Sequence, residues 1–257
     1  MTVREMYHRK LYSNVRNLLR YYFDEKIWDI KTASYDMYLL GNSCSLLSDF
    51  DTAEDCYRRL LQSESHAELC KRGMEELRVR RTHAKSAALF CSNERLNQIL
   101  SRLLPVFDRI KKNIYVFVAD DEAAYKQICR EEFDQAESAM YPWLGWAAVG
   151  LYNSADSHHL IFKRSTLREE VTAALTGLCA HELAHLELTD TKMRKNFQTF
   201  AQFSEENQFF NERLTDLYVI SKGFAYELFC ARRALSQSPL IMSRNEILDY
   251  IEKPFRL

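Results

Sequence analysis

The chain is expected to fold as an α+β protein, with an all-helical N-terminal region over residues 1–85 and a second domain over 93–257 built around one long apolar helix. Two observations carry that expectation. The first eighty or so residues read as helices, with apolar side chains recurring at helical spacing. Further along, His181-Glu182-Leu183-Ala184-His185 falls inside a long apolar-periodic stretch. An HExxH run on a helix is a zinc site with its own catalytic base.

In the N-terminal region, Met37, Leu40, Gly41, Ala53 and Tyr57 fall where a tetratricopeptide repeat places its large residue, leucine, glycine, alanine and aromatic. Gly41 and Ala53 would let two antiparallel helices approach closely, Leu40 and Tyr57 would fill the seam, and Asp49-Phe50-Asp51 would make the turn. Stable solenoids need about three repeats, and a single one is recognisable. The preferred reading is therefore a helical hairpin packed on the catalytic domain rather than a peptide-binding array. The pattern weakens between Arg80 and Asn93, where the domain boundary is placed. A helix from Leu96 to Ile110 should break near Leu104, because Pro105 lacks an amide hydrogen and disfavours helix in the residue before it.

The metal-carrying helix has a start signal in Thr166-Leu167-Arg168-Glu169, a capping-box form, and apolar residues follow at Val171, Ala174, Leu175, Leu178, Cys179 and on to Leu186. Residues i and i+4 of a helix lie about 40° apart around the axis and about 6 Å apart along it, so both imidazoles can reach one ion. Glu182 then sits beside the metal, placed to take a proton from a zinc-bound water and pass it to a leaving amine. Burying two histidines and a glutamate on an apolar helix is costly without partners, and a metal supplies them.

A catalytic zinc takes three protein ligands and keeps one open position. The metzincin form HExxHxxGxxH is excluded, because the chain has Leu188 and Thr191 where glycine and histidine are required. A carboxylate from a second helix is the other common solution. Asn211-Glu212-Arg213-Leu214-Thr215-Asp216 fits it, within an apolar-periodic stretch through Phe209, Leu214, Leu217, Tyr218 and Ile220 that stops at Gly223. Glu212 and Asp216 share a helix face, so Glu212 can bind the metal while Asp216 accepts the hydrogen bond of a zinc histidine's far ring nitrogen. The plainer alternative makes both carboxylates solvated surface groups, or partners of Arg213 and Lys222. Near the end of the chain, Ser243-Arg244-Asn245-Glu246 is another capping-box form, opening a short helix that Pro254 closes.

Together, HELAH and NERLTD resemble the gluzincin metallopeptidases, the zincin group that includes thermolysin, in which HExxH is followed by an NExxSD-like or ExxxD segment. The resemblance implies a zincin-like domain with a small mixed sheet, one Zn2+ per chain bound by His181, His185 and Glu212, Glu182 as catalytic base and Asp216 as orienter of a ligand histidine. It also implies an order of elements: a strand at 114–118, a helix at 122–139, an edge strand at 145–149, a strand at 160–163, then the metal helix. Gly145, Trp146, Ala147 and Ala148 would form the edge that pairs with substrate backbone. Many members begin that edge with Asn-Ala-aromatic, so the asparagine contact is absent here. No residue matches the group that stabilises the oxyanion; Tyr218, Tyr226, His158, His159, Arg232 and Arg233 are all open. His158-His159 reads as a turn pair rather than a ligand set.

A length of 257 residues suffices to bury a substantial core, and a net charge of −1 gives no pull towards nucleic acid or an anionic membrane. The local basic run of Lys71-Arg72 and Arg78-Val79-Arg80-Arg81, interleaved with Glu75 and Glu76, reads as a solvated helix face. Seven cysteines, odd in number and without CxxC, suggest neither a disulfide framework nor a thiolate zinc site, and point to a reducing compartment. With neither a signal-peptide-like start nor an apolar run long enough to span a bilayer, a cytoplasmic protein is expected, unconventional export being left open.

The function read from these features is that of a zinc metallopeptidase, an endopeptidase rather than an exopeptidase, hydrolysing polypeptides by a Glu182-activated zinc-bound water. The N-terminal helices offer a surface for a protein partner. Two rivals stand beside it. One is a helical-repeat interaction protein with a catalytically silent zincin scaffold, against which an intact Glu182 argues. The other is a dedicated regulatory protease with a single partner substrate.

Overall fold

The computed structural model describes residues 1–29, 33–62, 66–84, 87–133, 148–153, 157–168, 171–190, 205–234 and 241–253. They form a mostly helical α+β protein with one small sheet. The chain divides into two compact units, one made of 1–85, 219–226 and 245–257, the other of 86–218 and 227–244.

The first unit holds α1 (Val3–His8), α2 (Tyr12–Asp24), α3 (Ser34–Leu46), α4 (Phe50–Gln62) and α5 (Ala67–His83). Thr2 and Glu5 close a capping box on α1, which supplies partners for amides that lack them inside the helix. α3 and α4 form the expected hairpin, although its turn lies at 47–49, two residues early, with Ser48 left-handed (φ 64°) and Phe50 already helical. A Cβ on Gly41 would press on the Tyr57 ring, and so would one on Gly73 of α5. Tyr57 thus needs both glycines, and its hydroxyl donates to Asn42 Oδ1 (2.5 Å). Arg16 of α2 is fully buried, pairs with Asp49 at 2.7 Å and donates to the Gly223 carbonyl. Gly223 has φ 97°, a left-handed value that suits glycine.

The sheet belongs to the second unit, in the order β1-β2-β4-β3, from β1 (Leu89–Cys91), β2 (Asn113–Ala119), β3 (Ala148–Asn153) and β4 (Ser157–Lys163). β1, β2 and β4 run parallel, while β3 pairs antiparallel with β4 through an irregularity between Ala148 and Gly150. Of the proposed substrate edge, Ala148 opens β3 at the sheet margin; Gly145, Trp146 and Ala147 lie outside the described residues, as do 134–139 of the expected helix. β4 begins three residues before the expected 160, because its register with β2 pairs Ser157 with Asn113 and His158 with Ile114. His158 and His159 are therefore strand residues, not a turn pair.

α6 (Glu94–Leu103) is capped by Asn93, whose side chain accepts from Leu96 N (3.0 Å), and it ends just ahead of Pro105. α7 (Glu122–Phe133) packs on one face of the sheet, where Ala119, Tyr125, Cys129 and Ile161 form a buried hydrophobic cluster. Alternation turns His158, Leu160 and Phe162 to the other face. There His158 Nε2 lies 3.0 Å from Asp190, the last residue of α8 (Thr172–Asp190). The expected capping box does not start α8: 164–168 wind as a 3₁₀ turn directly off β4, placing Thr166 inside that turn, and the Val171 carbonyl just ahead of α8 accepts from Ala174 N and Leu175 N. α9 (Glu205–Ser221), α10 (Ala225–Ala234) and α11 (Arg244–Glu252) complete the chain as described. No helix among the described residues is long and apolar enough to cross a membrane.

Candidate metal centre

α8 is buried along nearly its whole length, from Ala174 through Leu188, as its apolar sequence demands. Gly177, one turn before His181, allows an unusually close approach. A Cβ there would overlap the Glu227 carbonyl at the start of α10 and lie 2.8 Å from Leu228 N. α8 carries His181 and His185, both buried, with the half-buried Glu182 between them. α9 presents Glu212, Thr215 and Asp216 from one face, in the i, i+3, i+4 pattern of neighbours on a helix.

His181, His185 and Glu212 are brought together as a group able to hold a metal ion. His181 Nε2 is 3.0 Å from His185 Nε2 and 3.0 Å from Glu212 Oε2, and His185 Nε2 is 3.4 Å from the same oxygen. Ligand atoms arranged tetrahedrally around a zinc ion are separated by about 3.3 Å. The remaining ring nitrogens fix the chemistry. His181 Nδ1 lies 2.8 Å from Asp216 Oδ1, an acceptor, so Nδ1 carries the hydrogen. Thr215 spends its hydroxyl hydrogen on the Asn211 carbonyl (2.9 Å) and so accepts from His185 Nδ1 at 3.2 Å. In these tautomers both Nε2 atoms present lone pairs to each other and to a carboxylate. A cation at their meeting point relieves that repulsion, and the donor set of two imidazoles and a carboxylate suits zinc.

Without metal, a proton fills the role. Burial disfavours a charged His181, but hydrogen bonds with Asp216 and Glu212 outweigh it and raise His181 to about 9. Burial likewise works against ionised Glu212 and Asp216. The charge of His185 with hydrogen bonds from both histidines holds Glu212 well below the usual carboxylate range, and His181, Arg232 and the Met242 amide lower Asp216.

Asp216 is not a surface carboxylate. It is fully buried, with Arg232 Nη2 at 2.6 Å from Oδ1 and the Met242 amide at 2.8 Å from Oδ2. An arginine that reaches it is Arg232 of α10. Of the other residues considered for oxyanion stabilisation, Tyr218 donates to the buried Glu187 (3.1 Å), which also accepts from Arg109 N (2.8 Å). Tyr226 donates to Glu25 at 3.2 Å, His158 faces Asp190, and His159 lies on the α7 side of the sheet beside Tyr115. Arg233 is exposed. Cys179, near Glu182, is buried and burial pushes its thiol up, so it offers no thiolate.

Thr215 and Arg232 are the site residues whose roles sequence reasoning missed. Thr215 was accessible from helix spacing alone, since it shares the face of Glu212; the Arg232 and Met242 contacts depend on how α10 and the segment after it return to α9. Comparison with models of protein families, with curated proteins and with solved structures finds no match.

Proposed function

We propose that the protein is a zinc-dependent metallopeptidase with a zincin-like, gluzincin-type catalytic domain that hydrolyses polypeptides internally. The observation that carries this reading is the convergence of His181 Nε2, His185 Nε2 and Glu212 Oε2 within 3.4 Å of one another, with each imidazole's other nitrogen already bonded. A bound zinc ion would supply Lewis acidity, polarising the scissile carbonyl and acidifying a water. His181 and His185 would hold it through Nε2, with Glu212 as third ligand, and Asp216 and Thr215 hold the two rings in the tautomer that exposes those atoms. Glu182 follows His181 on α8 without being part of the ligand group, which suits a base. Its carboxylate takes a proton from the attacking water and returns it to the departing amine nitrogen. The intact base also weighs against a silent scaffold, which needs the ligands only.

Glu182→Gln tests the assignment, since it removes the base and leaves every ligand in place. The variant should retain its metal and thermal midpoint while hydrolysis of a denatured-protein substrate falls by at least roughly 100-fold, the lower end of general-base contributions. Comparable cleavage by parent and variant would contradict the role given to Glu182.

A further inference from the structure

Arg232 is the buried cation of the site. Its side chain is 5 % exposed, Nη2 lies 2.6 Å from Asp216 Oδ1, and the same nitrogen is 3.5 Å from His181 Nδ1. Arg232 and His181 thus share one carboxylate oxygen, while the Met242 amide holds the other. A fully buried carboxylate requires a compensating charge. Once a metal occupies the Nε2 side, His181 is a neutral ligand, and Arg232 is the full positive charge in contact with Asp216 among the described residues. Arg232 comes from α10, whereas Asp216 comes from α9 and His181 from α8, so this ion pair joins three helices at one oxygen.

We propose that Arg232 is a positioning residue of the metal centre: its ion pair holds Asp216 against His181 Nδ1–H and thereby keeps His181 Nε2 turned to the metal. The inference rests on the metal-centre reading above. Arg232 Nε is buried and has no partner among the described residues, so its known anchoring runs through the Asp216 contact.

Zinc affinity, measured by competition with a chromophoric chelator, tests this on the full chain and its Arg232→Met, Arg232→Lys, Asp216→Asn and doubly substituted Arg232→Met/Asp216→Asn variants. Arg232→Met should weaken zinc binding roughly 10–100-fold, the scale on which partners of ligand histidines act. Arg232→Lys, which keeps the charge, should recover most of that loss. The double variant should bind no more weakly than Asp216→Asn alone, because Arg232 acts through Asp216. Parent-like affinity in Arg232→Met, or losses that multiply in the double variant, would overturn the assignment. Should the Met variant not fold, Arg232→Gln takes its place with the same expectations. A parent that takes up no zinc overturns the metal centre itself. The role of Arg232 is then read in metal-free protein from the downfield Nδ1–H proton resonance of His181, expected in the parent and lost in the variant. Retention in both overturns it.

Discussion

At the scale of single residues, the centre is a relay of hydrogen bonds ending on two lone pairs. Asp216 orients His181, Thr215 orients His185, and Glu212 completes the group from a neighbouring turn of α9. Replacing Asp216 with asparagine puts an amide where a carboxylate accepted hydrogen bonds from His181, Arg232 and the Met242 amide. Asp216→Asn should lower zinc affinity roughly 10–100-fold with the fold retained, as chelator competition and circular dichroism would report. Unchanged affinity would mean that the His181 tautomer is set by something else. Much of this was legible beforehand: i, i+4 spacing on two apolar-periodic helices, with the resemblance carried by HELAH and NERLTD, led to His181, His185, Glu212 and Asp216. Arg232 stood among the residues left open for the oxyanion, and its contact with Asp216 was not foreseen, because spacing along a chain does not reveal which carboxylate a distant arginine reaches.

At the scale of elements, the position of α8 rests on two features that no motif announces. Gly177 leaves space for the Glu227 carbonyl of α10, and a methyl group there would displace backbone rather than a flexible side chain. Gly177→Ala should therefore cost about 3 kcal/mol or more, at the upper end for overpacked cores, and lower the thermal midpoint with little refuge in side-chain rearrangement. A midpoint equal to the parent's would show that the two helices can separate freely. At the other end of α8, Asp190 accepts from Lys111 N (2.9 Å) and faces the buried His158. Burial lowers His158 below its ordinary value of 6.5, against the opposing influence of Asp190 and with a small further push from Lys112. As pH falls, the unfolded chain takes up that proton before the folded one does. The contribution is thus complete above about 6.5 and shrinks below it, by up to about 1.4 kcal/mol per pH unit. Urea midpoints at pH about 7.5 and about 5.5 should fall further in the parent than in His158→Gln; equal falls would place the acid sensitivity elsewhere. The periodicity of the sequence located α8 and the α3–α4 hairpin, but not the earlier start of β4 or the second glycine against Tyr57. Those depend on sheet register and on the packing of α5, which carries no repeat signature.

At the scale of the whole molecule, the chain is a helix-rich α+β protein whose chemistry-bearing residues gather on α8, α9 and α10. Neither unit is a continuous segment, because residues 219–226 and 245–257 belong with the N-terminal helices, and a reading by composition along the chain cannot anticipate such returns. The central claim is that three side chains from two helices hold one zinc ion. Metal analysis of purified parent and Glu212→Ala protein, after dialysis against trace zinc, tests it most directly. The parent should carry about one zinc per chain and the variant nearly none, since a three-ligand site loses most of its affinity with one ligand. A metal-free parent, or a Glu212→Ala variant as zinc-replete as the parent, would contradict it.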